Sequence, residues 1–159
     1  MKKLNILITF LTFVLFSACG FKVIDQNLLK NFYIEEITLK GDKKINYTIK
    51  NKLNTEVTNF KENKQPVAVS INSKIEKTIK EKNIKNKITK YNVKITVDVD
   101  YTVLKKKISK KFSIIKEGDY DVANKYSKTL TNEKNLVKTL SKDIPDKIIN
   151  NLFINIDEL

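Results

Sequence analysis

The sequence predicts an α+β two-layer sandwich: a four-stranded mixed sheet with two helices on one face, in the order β-α-β-β-β-α. Three stretches carry that expectation. In "YNVKITVDVDYTV", residues 91–103, Tyr91, Val93, Ile95, Val97, Val99, Tyr101 and Val103 alternate with polar residues. Such alternation marks a long strand buried on one side only. Two other stretches space their apolar residues by three and four, as a helix stripe does. One holds Ile45, Ile49, Leu53, Val57 and Phe60; the other holds Leu136, Leu140, Ile144, Ile148, Leu152 and Ile156. One-sided strands need one covering layer, and two one-striped helices supply it.

Each element follows in chain order. "FYIEEITLK", residues 32–40, is rich in β-branched and aromatic residues and runs into Gly41-Asp42, a turn signal. Asp42 stands where it can cap the first helix. That helix should stop before "ENKQP", because Pro66 disfavours a helical residue in front of it. In the second strand Val67, Val69, Ile71, Ser73, Ile75 and Ile79 share one face. The third strand is the alternating run above, and a shorter fourth holds Phe112, Ile114 and Ile115. "KEGDYDVANKYSKTLTNE" reads as irregular, with a turn at Gly118-Asp119. The last helix either kinks at Pro145 or is followed by a second one starting near Asp143. Strands two to four form an antiparallel meander; strands one and two, joined through a helix, lie parallel.

At the N-terminus, Lys2 and Lys3 precede a run at residues 4–16 that is apolar but for Asn5, Thr9 and Thr12. As helix that run measures about 20 Å, short of a hydrocarbon layer of about 30 Å. It reads as a cleaved signal rather than a spanning anchor. The small residues Ser17 and Ala18 follow, then Cys19, the single cysteine of the 159-residue chain. The arrangement resembles a bacterial lipobox, whose cysteine receives a diacylglyceryl thioether and, after cleavage, an N-acyl chain. The competing reading is a buried cysteine closing a hydrophobic helix. Residues 1–18 are thus a signal peptide and 19–159 a single domain. No cofactor is expected beyond the acyl groups on Cys19. Gly20, rather than aspartate, follows the cysteine, so export to the outer membrane is the default.

The chain carries a formal charge of +13, with no arginine and no histidine. Such a surplus suits an anionic partner, although lysine, asparagine and isoleucine abound throughout, as AT-rich coding would produce. Only clustering is informative. "KEKNIKNKITK", residues 80–90, lies between strands two and three; "KKKISKK", residues 105–111, lies between strands three and four or just inside the fourth. Successive hairpins of a meander fall at opposite ends of the sheet, so each run stands alone. Both can be solvated tips that discourage edge aggregation. The sharper reading makes Lys105, Lys106, Lys107, Lys110 and Lys111 contacts for a phosphorylated, acylated lipid.

Catalysis is not expected. Without histidine, and with its cysteine lipidated, the chain lacks the usual general base and thiol nucleophile. Three glycines cannot build a phosphate loop. Asp98 and Asp100 share a strand face and read as neutralisers of neighbouring lysines. No metal site is expected. Nucleic acid is not the expected partner, because few aromatics stand among the lysines to stack bases.

"ACGF" at residues 18–21, the strand, helix and three-stranded meander after it, and "YDVANKYSKTLTNEKNLVKTLSKDIPDKIINNL" near the end together resemble the LPS-assembly lipoprotein (LptE) family. The resemblance implies a lipoprotein that plugs the lipopolysaccharide translocon, an LptD-type β-barrel, and assists both its assembly and lipopolysaccharide delivery. It places the protein at the periplasmic face of the outer membrane, anchored through lipid. Only Cys19 carries over from the family by motif. The alternative is an auxiliary lipoprotein of another envelope lipid-transport machine.

Overall fold

The structure, a computed structural model, describes residues 31–57 and 64–157. Its elements are β1 (Phe32–Gly41), α1 (Lys43–Val57), β2 (Gln65–Lys82), β3 (Ile88–Val103), β4 (Ile108–Asp121), α2 (Tyr126–Ser141) and α3 (Ile144–Asp157). The strands form one sheet in the order β1-β2-β3-β4. β1 is parallel to β2, and β2, β3 and β4 are successively antiparallel. The mixed sheet with a covering helical layer is the expected architecture. Cys19 and Phe60 lie outside the described residues, as does the segment read as a signal peptide.

The inward face of the sheet is continuous across strands. Val69 stands opposite Tyr101, Ile71 opposite Val99, and Val97 opposite Ile114. All six are buried, together with Ile45, Ile49, Leu53 and Val57 of α1 and Ile144, Ile148, Leu152 and Ile156 of α3. Each such aliphatic side chain contributes about 1.5–3 kcal/mol on leaving water. These two helices thus bury continuous apolar stripes, while α2 lies along β4 and β3.

The β1–α1 junction is built around Gly41, whose φ of +92° favours glycine. A Cβ there would sit 1.9 Å from the Ser73 carbonyl oxygen. The close approach lets Asp42 N–H donate to that same oxygen at 3.1 Å. Asp42 Oδ1 then accepts from the Lys44 and Ile45 amides at 2.9 and 3.0 Å, capping α1 as its position suggests. Beneath the junction, Ser73 Oγ donates to Asn46 Oδ1 at 2.8 Å, and Asn46 Nδ2 donates to the Lys40 carbonyl at 2.9 Å. The buried polar pair is thus hydrogen-bonded.

Three expectations are corrected. Gly118-Asp119 is no turn: β4 runs through it to Asp121, and Gly118 instead makes room for Leu136 and Leu140 of α2. The stretch read as irregular, residues 116–133, is strand as far as Asp121 and helix from Tyr126. The fourth strand is long, and Ile115, 54% exposed, faces away from the core that holds Ile114. The C-terminal helical region breaks between Ser141 and Ile144, leaving Pro145 in the first turn of α3, where a missing N–H costs nothing. Asp143 occupies the break and takes an ion pair from Lys116 of β4.

Candidate anion-binding surface

Strand alternation leaves the second face of the sheet without a helical layer among the described residues. Lys74, Thr96, Asp98, Ser113 and Ile115 lie on it, as do Asp100 and Lys111, which stand opposite each other. Asp98 accepts a hydrogen bond from Ser113 Oγ at 2.5 Å rather than pairing with a lysine. Thr102 and Ser109 join their hydroxyls at 2.8 Å. Lys94 and Glu117 pair at 3.6 Å, and Lys74 and Glu76 at 2.7 Å. A shallow trough of about 480 Å³ crosses this face, with Glu36, Ser70, Asp100, Thr102 and Lys111 in its lining. Carboxylates beside Lys111 make the trough mixed in sign, so it is no simple anion pocket.

The free cations gather at the adjoining hairpin. Lys105, Lys106 and Lys107 form the β3–β4 turn, with Lys107 at φ 55°. Lys110 and Lys111 enter β4 on opposite faces: Lys110 stands opposite buried Tyr101, Lys111 opposite Asp100. The five predicted lysines therefore share a place in the fold but not a direction. All five are exposed, and none joins an ion pair among the described residues. Lys105 Nζ lies 3.4 Å from the Lys64 carbonyl. Gln65 N–H donates to the Asn31 carbonyl at 2.9 Å, and Leu104 N–H to the Pro66 carbonyl at 3.0 Å. The N-terminal start of the sheet and the lysine turn are thus at one end of the molecule.

The other run is built differently. Lys80 and Lys82 belong to β2 and Lys90 to β3, so only Lys85 and Lys87 stand in the turn. Asn83 Oδ1 fixes that turn by accepting from both of their amides at 3.0 Å. Lys80 pairs with Asp119, and Lys90 with Glu81 at 3.0 Å. Hydrogen bonds from Lys80 and then Asn92 hold the Asp119 carboxyl below its usual range. These cations are already partly neutralised. The 105–111 run is the one with charge to offer.

One ionic cluster escaped the sequence reading. Lys77 Nζ reaches Glu133 Oε2 of α2 at 2.6 Å, and Tyr120 Oη donates to the same oxygen at 2.6 Å. The ammonium lies 4.3 Å from the ring centre of Tyr91, which stacks on Tyr120 at 5.6 Å. Desolvation alone would lower the Lys77 pKa, but hydrogen bonds with Glu133 and Tyr120 outweigh it and raise the value. Hydrogen bonds from Lys77 and Tyr120 hold the Glu133 carboxyl low. Burial, followed by its bond to Glu133, pushes the Tyr120 phenol up. The signal was present in sequence: Lys77 shares the inward parity of Ile75. The cluster is saturated and docks α2 on the sheet.

Among the described residues there is no group of three potential metal ligands, and no helix is long and apolar enough to cross a membrane. No protein-family model matches the chain, and no curated protein is similar enough in sequence to count as a relative. Solved structures do match. The rare lipoprotein B of Shewanella oneidensis superposes with a TM-score of 0.63 at 14% identity, covering 77% of this chain and 97% of that one. A lipoprotein B of Nitrosomonas europaea gives 0.55 at 14% identity, covering 87% and 93%. A putative lipoprotein of Caulobacter crescentus CB15 gives 0.52 at 13%, covering 84% and 95%. At these identities the likeness establishes a common fold, one found among bacterial lipoproteins.

Proposed function

We propose that this chain is a lipid-anchored, non-enzymatic lipoprotein at the periplasmic face of the outer membrane. In this reading it plugs and helps assemble an LptD-type β-barrel and assists lipopolysaccharide delivery. The observation that carries it is a conjunction: "LFSACGF" at residues 15–21 stands ahead of a domain whose fold is that of bacterial lipoproteins. The thioether and amide acyl chains on Cys19 are the covalent groups required. Two or three buried chains, at about 0.8 kcal/mol per methylene, make the anchorage nearly permanent.

The geometry supports a division of labour between two surfaces. Residues 19 to 31 span at most about 43 Å when extended, and Asn31 lies at the end that carries Lys105, Lys106 and Lys107. The anchor therefore keeps the free cations within reach of a lipid phase, where mobile ammonium groups pair phosphates as point charges. The open polar face of the sheet is left for the barrel, as an interface of standard size or larger.

Affinity capture of the tagged, acylated protein from native envelopes tests the partner. The expected result is co-recovery of one large outer-membrane β-barrel. Recovery of the protein alone contradicts the plug role. Co-recovery of a transport ATPase with its substrate-binding subunits instead would assign it to another lipid-transport machine.

A further inference from the structure

A second surface, on the helical side, has a chemistry of its own. Among the helices α1 packs on α3 rather than on α2, and a groove of about 790 Å³ stays open between α1 and α2. Its floor is apolar, made by Ile45, Ile75, Leu130 and Val137; Lys43, Lys44, Lys134 and Lys138 stand along it. All four lysines are exposed. The two carboxylates in the lining are already committed, Asp42 as the α1 cap and Glu133 to Lys77 and Tyr120. The groove thus joins an apolar trench to four cations that outnumber the carboxylates of its lining, Asp42 and Glu133.

From this we infer that the α1–α2 groove binds a phosphoglycerolipid, with an acyl chain along the apolar floor and the phosphate among Lys43, Lys44, Lys134 and Lys138. Charge complementarity selects an anion, and flexible ammonium groups suit a phosphate. The volume is that of a site for a drug-sized ligand, with room for one or two chains and not for a many-chained amphiphile. A partner helix fits worse: ten residues of helix, about 15 Å long and 10 Å wide, fill about 1,200 Å³. The site is separate from the 105–111 hairpin. It rests on the envelope location proposed above, but not on the barrel partner.

The test uses the full chain in its native envelope, with p-benzoylphenylalanine in place of Val137 or, to spare the packing of α2, in place of Lys138. After irradiation the adducts are weighed by mass spectrometry. The expected adduct has the mass of a phosphoglycerolipid at both positions. Combining Lys43→Gln, Lys44→Gln and Lys134→Gln should cut its yield at position 138 at least fivefold, while Lys105→Gln with Lys106→Gln leaves it unchanged. Adducts of protein mass, of lipopolysaccharide, or of neither kind would overturn the inference, as would a yield indifferent to the three groove lysines. Barrel capture reads the proposed function separately, so either idea can fail alone.

Discussion

Gly41 and Gly118 meet their surroundings in different ways, and that difference sets what substitution does. At Gly41 an added Cβ meets backbone, the Ser73 carbonyl oxygen, at a positive φ. Neither can yield, so Gly41→Ala should destabilise by about 3 kcal/mol or more. At Gly118 the nearest atoms are the Leu136 and Leu140 methyls at 2.8 and 3.3 Å, ends of flexible side chains. Gly118→Ala should therefore cost only about 1 kcal/mol, and the larger Gly118→Val more, as overpacking. Urea midpoints of the three variants against the parent check the order. The contrast also shows what the sequence could reveal. A glycine before a capping aspartate and a new apolar period announces a turn, and Gly41 is one. Gly118-Asp119 has the same letters, yet its reason lies 18 residues on, in leucines that pack over it. Local chemistry made the first legible; tertiary contact hid the second.

At the scale of elements, α2 is held differently from α1 and α3. Those two bury a continuous aliphatic stripe, which is why spacing alone located them. The first two turns of α2, "YSKTLTNE", offer Leu130 as their only aliphatic residue, so no stripe announced them. They dock through Glu133 on Lys77 and Tyr120. Because the folded Glu133 pKa is lowered below 4.5, its contribution is full above about pH 4.5 and fades as pH falls through the lower, folded value. The raised Lys77 value acts in the opposite sense, full below 10.5 and lost only at strongly alkaline pH. Glu133→Gln should therefore reduce stability at neutral pH and flatten part of its acid-side decline. Urea midpoints from pH 3 to 8 check the decline, and hydrogen exchange in α2 at neutral pH should lose protection before β3 does. Equal loss in both elements would show that the cluster supports the whole fold rather than the docking of one helix.

For the whole molecule, the decisive property is how charge is distributed over the fold. The net +13 is spread along the chain, but pairing with Asp119 and Glu81 offsets part of the 80–90 run, whereas the 105–111 hairpin stays open. Replacing Lys105, Lys106, Lys107, Lys110 and Lys111 with glutamine should weaken lipopolysaccharide binding about tenfold or more at low salt. The gap should narrow as salt screens the exposed charges. Equal affinity of parent and variant in a salt titration would make the hairpin a solvated tip. The cluster was readable because five lysines in seven residues are dense in any fold. The α1–α2 groove was not, because its walls come from distant segments and exist only where two helices fail to meet. The sheet's open face was half legible: alternation showed a polar side, but nothing local says what covers it.

All of these roles presuppose a polypeptide tethered through its single cysteine. Mass spectrometry of the native N-terminal peptide measures that directly. The account predicts a chain beginning at Cys19, carrying a diacylglyceryl thioether and an acylated amino group. A peptide that still begins at Met1, with an unmodified thiol at position 19, would contradict it.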